Sequence, residues 1–246
     1  QRLLMTLDTP AANLALDEAL LDLAEATGPA AEFVRIWESP RPVVVVGRSS
    51  RVHDEVDEAA CRERDVPILR RSSGGAAIVA GPGCLMYAVV LSYGERPQLR
   101  DLTCAHAFVL DRLVEALRSE APSITRQSTS DLAMIDLAGV LRKFSGNSLR
   151  AKRTHLLYHG TLLYDFDLPL IAELLRSPPR QPAYRGSREH AEFVANLPLV
   201  REAVEEAVLA AWPTSGELAR WPRDGVARLV KERYGLDEWN LTYGRS

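Results

Sequence analysis

The sequence predicts an α/β (α+β) fold in one domain over residues 1–246: a mixed, largely antiparallel sheet flanked by helices. Three observations lead there. Segments with helical hydrophobic spacing are interspersed with short β-rich runs. Several of those runs follow one another with only a turn between them, which suits antiparallel neighbours. No linker, repeat or low-complexity tract divides the 246 residues, a length that buries a real core.

The elements follow in order. Asn13 to Ala26 carries Leu14, Leu16, Leu20, Leu21 and Leu23 among Asp17, Glu18, Asp22 and Glu25, an amphipathic helix ending at Gly28-Pro29. Glu32 to Trp37 and Val43 to Gly47 read as strands around the turn Ser39-Pro40-Arg41-Pro42. Asp54 to Arg64 reads as a helix and Val66 to Arg70 as a strand. Ala76 to Ala80 and Cys84 to Tyr93 resemble a hairpin around Gly81-Pro82-Gly83. Asp101 to Ser119 is a helix with Ala107, Leu110, Val114 and Leu117 on one face. Leu132 to Asp136, Val140 to Ser145 and His155 to Tyr164 are strand-like, punctuated by Gly139 and Gly146. From Leu168 a loop with Pro178, Pro179 and Pro182 runs through Tyr184 to Arg188, and helices follow at Leu199 to Ala211 and Gly225 to Tyr234.

Bulk properties narrow the function classes. A net charge of −3 with 26% charged residues gives no basic field for nucleic acid. No apolar run approaches the roughly 20 residues of a membrane span, so no membrane partner is expected. No signal peptide is visible; the chain begins with Gln, so the initiator is missing and a short upstream segment is a candidate omission. Cys61, Cys84 and Cys104 lack metal-ligand spacing, and an odd, low count suits reduced thiols in a cytoplasmic setting.

Four segments carry chemistry. Arg70-Arg71-Ser72-Ser73-Gly74-Gly75-Ala76-Ala77 follows a strand directly. Its glycines let backbone amides approach an anion, and arginine offers a planar fork to phosphate or carboxylate. It is neither a Walker loop nor a dinucleotide fingerprint, and taken alone it is a hairpin loop as readily as a site. In Arg142-Lys143-Phe144-Ser145-Gly146-Asn147, Lys143 supplies a point charge for a developing anion, or is an exposed strand lysine. Asp131, in Ser130-Asp131-Leu132, is a candidate Mg²⁺ ligand or a loop-ending carboxylate. His159, in Tyr158-His159-Gly160-Thr161-Leu162-Leu163, is a site residue or a satisfied structural histidine.

In this order the four segments, with Val45 to Arg48 before them, resemble the biotin/lipoate ligase and transferase superfamily, and most closely the catalytic domain of lipoate–protein ligases. The resemblance spans roughly Leu14 to Leu175. It implies a mixed-sheet fold related to class II aminoacyl-tRNA synthetases. It also implies a two-step reaction, in which lipoate and ATP-Mg²⁺ give lipoyl-AMP and a lysine of an acceptor domain then takes the lipoyl group. Acceptors would be 2-oxoacid dehydrogenase E2 or glycine-cleavage H-like proteins. Carried over, Lys143 is the catalytic residue, and Arg71, Ser72, Gly74, Gly75, Ala76, Ala77, Ile78 and Val79 join it in binding ATP and the adenylate. Val46, Tyr87, Gly146 and His159 would wall the acyl pocket, and Asp131 would hold the metal.

The chain departs from the family pattern at Ala76, which replaces a glycine, at Ala80-Gly81, which replaces His-Asp, at Ser130, which replaces Asn, and at Tyr158, which replaces His. No separate C-terminal accessory domain is expected, so a second polypeptide is a candidate partner in adenylation. Alternatives are an octanoyl or lipoyl transferase working from a carrier protein without ATP, and a non-catalytic binding protein of the same fold. The first needs an activated cysteine, absent near Ser128 to Asp131, which leaves Cys84. The biotin-ligase loop Gly-Arg-Gly-Arg-x-Gly is absent. The loop Tyr184 to Arg188 is a candidate lid or a solvated surface loop.

Overall fold

Pairing sorts the β-rich runs into two sheets, and the split decides what faces the site. The computed structural model describes residues 1–177 and 181–242. Pro178 and Pro179 of the expected loop lie outside the described residues. In chain order the first half runs β1 (Arg2–Leu4), α1 (Pro10–Thr27), β2 (Phe33–Glu38), β3 (Val43–Val46), α2 (Val52–Glu55), α3 (Glu58–Glu63), β4 (Ile68–Arg70), β5 (Ile78–Ala80), β6 (Cys84–Ser92) and α4 (Leu102–Leu117). The second half runs β7 (Thr125–Gln127), β8 (Asp131–Ile135), β9 (Leu141–Ala151), β10 (His155–Leu163), α5 (Pro169–Leu174), α6 (His190–Phe193), α7 (Arg201–Ala211) and α8 (Arg223–Leu229). Seven strands pair in the order β1-β2-β6-β10-β9-β8-β7, and three in the order β4-β3-β5. Among the described residues the strand pairs β1–β2 and β3–β4 are parallel and the other strand pairs antiparallel. The expected mixed, largely antiparallel sheet with flanking helices is therefore present.

The large sheet has a core on each face. Met86, Ala88 and Val90 of β6 pack with α1, the small sheet and α5. Leu85, Tyr87, Val89 and Leu91, the alternate residues, pack with α4 and α7. Chain segments that read as a hairpin across Gly81-Pro82-Gly83 separate instead: β5 pairs with β3 in the small sheet and β6 with β2 and β10 in the large one. The helix read over Asp54 to Arg64 breaks at Val56. There Asp57 begins a new helix by accepting from the amides of Ala59 and Ala60 at 3.1 and 3.0 Å. Strand β9 continues through Gly146 rather than ending there. Strands β1 and β7 are three residues each, too short to show a period.

Helix α1 is also not the half-solvated helix its pattern suggests. Asp17 and Glu18 are 1% and 5% exposed. Asp17 pairs with the buried Arg35 guanidinium at 2.5 Å. Glu18 accepts from Tyr234 and Arg233, both at 2.6 Å, which holds the turn after α8 against α1.

Candidate active site

The glycine loop is built by two inward-turned arginines. Arg70, at the end of β4, is fully buried and donates to the carbonyls of Gly47 and Ser50 at 2.7 Å and of Trp239 at 2.8 Å. The loop is thereby anchored to the C-terminal turn Glu238–Thr242. Arg71 donates to the carbonyls of Val45, Gly74 and Ala76, so the loop wraps around its guanidinium. Burial draws the Arg71 pKa down to about 10; Glu55 partly offsets this and Arg70 adds to it. Glu55 accepts from the Ala77 amide at 2.5 Å and fixes the loop's exit.

The loop also needs Gly47. A Cβ there would stand 1.9 Å from the Gly75 carbonyl oxygen. Gly75 itself has φ +88°, in the left-handed region that favours glycine. Replacing Gly47 by alanine should push the loop off β3 and destabilise the protein by about 1–3 kcal/mol, as overpacking does. A thermal melt combined with ligand titration checks this: ligand affinity should fall along with the midpoint.

Lys143 is positioned by two features of β9. The register against β8 shifts there: Leu132 faces Ser145 while Ala133 faces Lys143, leaving Phe144 as the extra residue of a bulge buried in the core. The Lys143 side chain lies across Gly146, where a Cβ would meet Nζ at 3.0 Å. Nζ reaches Asp131 Oδ1 at 2.8 Å, and the Tyr184 hydroxyl donates to Asp131 Oδ2 at 2.8 Å. Among the described residues no three His, Cys, Asp or Glu side chains cluster to hold a metal.

A buried polar chain runs beneath the loop. Ser73 Oγ lies 2.5 Å from His159 Nε2, and His159 Nδ1 lies 3.4 Å from Asp17 Oδ2. Ser148 Oγ donates to the Gly74 carbonyl at 2.8 Å and ties the loop to β9.

These parts surround a cavity of about 940 Å³. Arg71, Gly75, Ala76, Ala77, Ile78 and Val79 line it from the loop and β5. Asp131, Lys143, Gly146 and His159 line it from β8, β9 and β10. Leu14, Met86, Leu163, Ile171 and Leu175 add apolar surface, the mixture expected of a small-molecule site.

Four expected site residues are not brought to it. Tyr87 lies on the opposite face of the sheet, stacked on Trp212 at 5.9 Å, while its neighbour Met86 faces the cavity. Val46 is buried, and its neighbour Val45 lines the cavity instead. Ser72 opens on a separate cavity of about 320 Å³ with Arg48, Arg150 and Trp239. Gly74 turns its carbonyl toward Arg71 and Ser148 and takes no part in the lining. Conversely Glu55 and Ser148 line the cavity without having been singled out for it, and Arg185 lines it from the loop read as a candidate lid. Ser148 was legible, lying two residues beyond Gly146 on the same strand face.

No cysteine lines this cavity. Cys84 is buried, and that burial pushes its thiol far up. Cys61 is raised to about 11, by burial first and then by Asp57 and Glu58. Cys104 is exposed on α4.

A family model, the lipoyl protein ligase A/B catalytic domain, matches residues 9–211. The chain belongs to this family. A putative lipoate-protein ligase A of Schizosaccharomyces pombe is 27% identical over 203 residues, covering 82% of this chain and 52% of that protein. The chain thus spans about half the length of that relative. The octanoyltransferase LipM of Geobacillus kaustophilus is 25% identical over 267 residues, covering 94% of each chain. In fold the chain is similar to a bi-partite lipoate protein ligase of Thermoplasma acidophilum, studied with its E2 lipoyl domain; the TM-score is 0.81 at 20% identity, covering 98% of this chain and 95% of that one. Among the described residues no helix is long and apolar enough to cross a membrane.

Proposed function

We propose that the chain is an ATP-dependent lipoate–protein ligase. It activates lipoate with ATP and Mg²⁺ to lipoyl-AMP, releasing pyrophosphate, and passes the lipoyl group to a lysine of an acceptor domain, releasing AMP. One observation carries the reading: Lys143 and the glycine loop converge on a single cavity with a largely apolar lining. The apolar part suits an acyl chain. The Lys143 ammonium, fixed by the bulge and by Gly146, faces the carboxylate and phosphate oxygens on which charge develops in both half-reactions. His159 walls the acyl end and holds Ser73. A Mg²⁺ bound with a triphosphate would need one or two protein carboxylates, and Asp131, now paired with Tyr184 and Lys143, would be the one to hold it.

The acceptors in this reading are lipoyl domains, of the E2 or glycine-cleavage H-like kind. The chain acts in the cytoplasm as the catalytic domain, with a separate accessory polypeptide as a candidate partner for adenylation. The bi-partite relative supports that last point by analogy.

The second reading is an octanoyl or lipoyl transfer from a carrier protein without ATP. Its support is the 94% coverage of an octanoyltransferase at 25% identity. Against it stands the absence of a thiol from the cavity lining. The deciding experiment is incubation with lipoate, ATP and Mg²⁺, with mass detection of lipoyl-AMP, beside a second arm with octanoyl-carrier protein and no ATP. The ligase reading expects adenylate in the first arm, undiminished in a Cys84→Ser protein. Acyl transfer confined to the second arm overturns it.

A further inference from the structure

Arg185 is buried beside the cavity with a donor that no described residue uses. It closes the short 3₁₀ turn Ala183–Arg185, after which Gly186 takes a left-handed conformation with φ 59°. The side chain is 3% exposed and lines the cavity. Its Nε donates to the Arg188 carbonyl at 2.8 Å, and its Cζ stands 4.9 Å from the centre of the Phe193 ring. Nη2 is buried and has no hydrogen-bond partner among the described residues. No carboxylate comes within 4.0 Å of the guanidinium among those residues. A buried, unsatisfied cationic donor costs free energy that a bound anion recovers.

The charges around the cavity point the same way. Arg51, Arg71 and Lys143 are matched in number by Asp54, Glu55 and Asp131, all of which line it. Among the charged Arg, Lys, Asp and Glu side chains of the lining, Arg185 is the cation in excess; Glu189, outside the lining, acts on it as an opposite charge and Arg188 as a like one. His190 lines the same cavity; burial pulls its pKa down and Arg185 and Lys143 add to that, while the Arg176 carbonyl and Glu189 raise it. The Arg71 donors are largely occupied by loop carbonyls. Arg185 therefore offers a guanidinium at the cavity wall, a group that pairs with phosphate oxygens.

We propose that Arg185, beside Lys143, is a phosphate subsite of the cavity and holds the phosphate ester of the acyl donor. The inference rests on the reading that this cavity binds an activated acyl group, and it names the part of the donor that the second wall recognises. A phosphate ester comes from either of two sources: the nucleotide of an acyl-adenylate, or the phosphopantetheine arm of an acyl carrier.

Calorimetric titration of the full chain tests it, with lipoate, AMP and 4′-phosphopantetheine as three separate probes. Arg185→Met should bind lipoate as the unmodified protein does. It should lose about tenfold to a hundredfold in affinity for whichever phosphate ligand the unmodified protein binds, the range a charged hydrogen bond supplies. Loss confined to AMP identifies the nucleotide source, and loss confined to phosphopantetheine the carrier source. Arg185→Lys keeps the charge without the fork, guards against a folding defect in the methionine variant, and should fall between the two. Phosphate-ligand affinity unchanged in both variants overturns the subsite, as does an unmodified protein that binds lipoate but neither phosphate probe. Failure of the ligase reading looks different: the unmodified protein then binds neither lipoate nor AMP.

Discussion

Lys143→Met is expected to lower the rate of lipoyl transfer about a hundred- to a thousandfold, the usual loss when a preorganised donor to a developing anion is removed. The fold should survive, because the side chain is 27% exposed and its partner Asp131 keeps the Tyr184 hydroxyl. Methionine retains the apolar stem that crosses Gly146. Lys143→Arg should not restore the rate. Nζ already stands 3.0 Å from where a Cβ at Gly146 would be, so the broader guanidinium has no room on the same path. The measurement is a single-turnover assay begun from preformed lipoyl-AMP, with adenylate formation followed separately. Both steps should fall, and lipoate affinity should change less than either rate. A methionine variant that transfers at the original rate sinks the assignment.

The legibility of Lys143 in the sequence has a physical basis. It lies in a motif whose glycine leaves room for the lysine's own path, so the spacing encodes where the side chain lies. The acyl-pocket residues were less legible. Strands β3 and β6 are buried on both faces along their whole length. Such strands carry no polar–apolar alternation, and alternation is what tells one face from the other. Choosing Val46 over Val45, or Tyr87 over Met86, is therefore a one-residue parity that the sequence does not encode locally. The supposed hairpin across Gly81-Pro82-Gly83 fails for a related reason. Two adjacent strands with a turn between them look alike whether they pair with each other or divide between sheets. The fold class survived these errors because it rests on the number and type of elements, not on their faces. Arg185 lay in a loop already singled out by its arginines, but only packing against Phe193 reveals that it points inward.

Helix α1 shows the opposite error, and it leads to the largest expected stability effect. Asp17 occupies a position that the pattern gives to solvent, yet it is the counter-charge of Arg35 in the interior. Arg35 also donates to Asn13 Oδ1 at 2.6 Å and to the carbonyls of Asn13 and Met5 at 2.8 and 3.1 Å. Asp17→Asn leaves this guanidinium buried without a charge partner, which should cost about 3–5 kcal/mol. Against a typical total of about 5–15 kcal/mol, that is enough to bring the protein near its unfolding threshold. The variant should also disturb the site, because His159 loses the carboxylate that orients its ring beneath Ser73.

The pH dependence has a defined sign. Burial pushes the Asp17 carboxyl up, but Arg35 and His159 together outweigh it and hold the group below its ordinary value. A depressed folded-state pKa contributes stability that is fully present above the unfolded value, about 4, and is lost as pH falls through the folded value. Urea unfolding at neutral pH and below about pH 4 checks both points. The unmodified protein should lose stability across that acid window. The asparagine variant should start lower and lose less, having no carboxylate at this position to protonate. Equal stability of the two proteins at neutral pH contradicts the proposed weight of the pair.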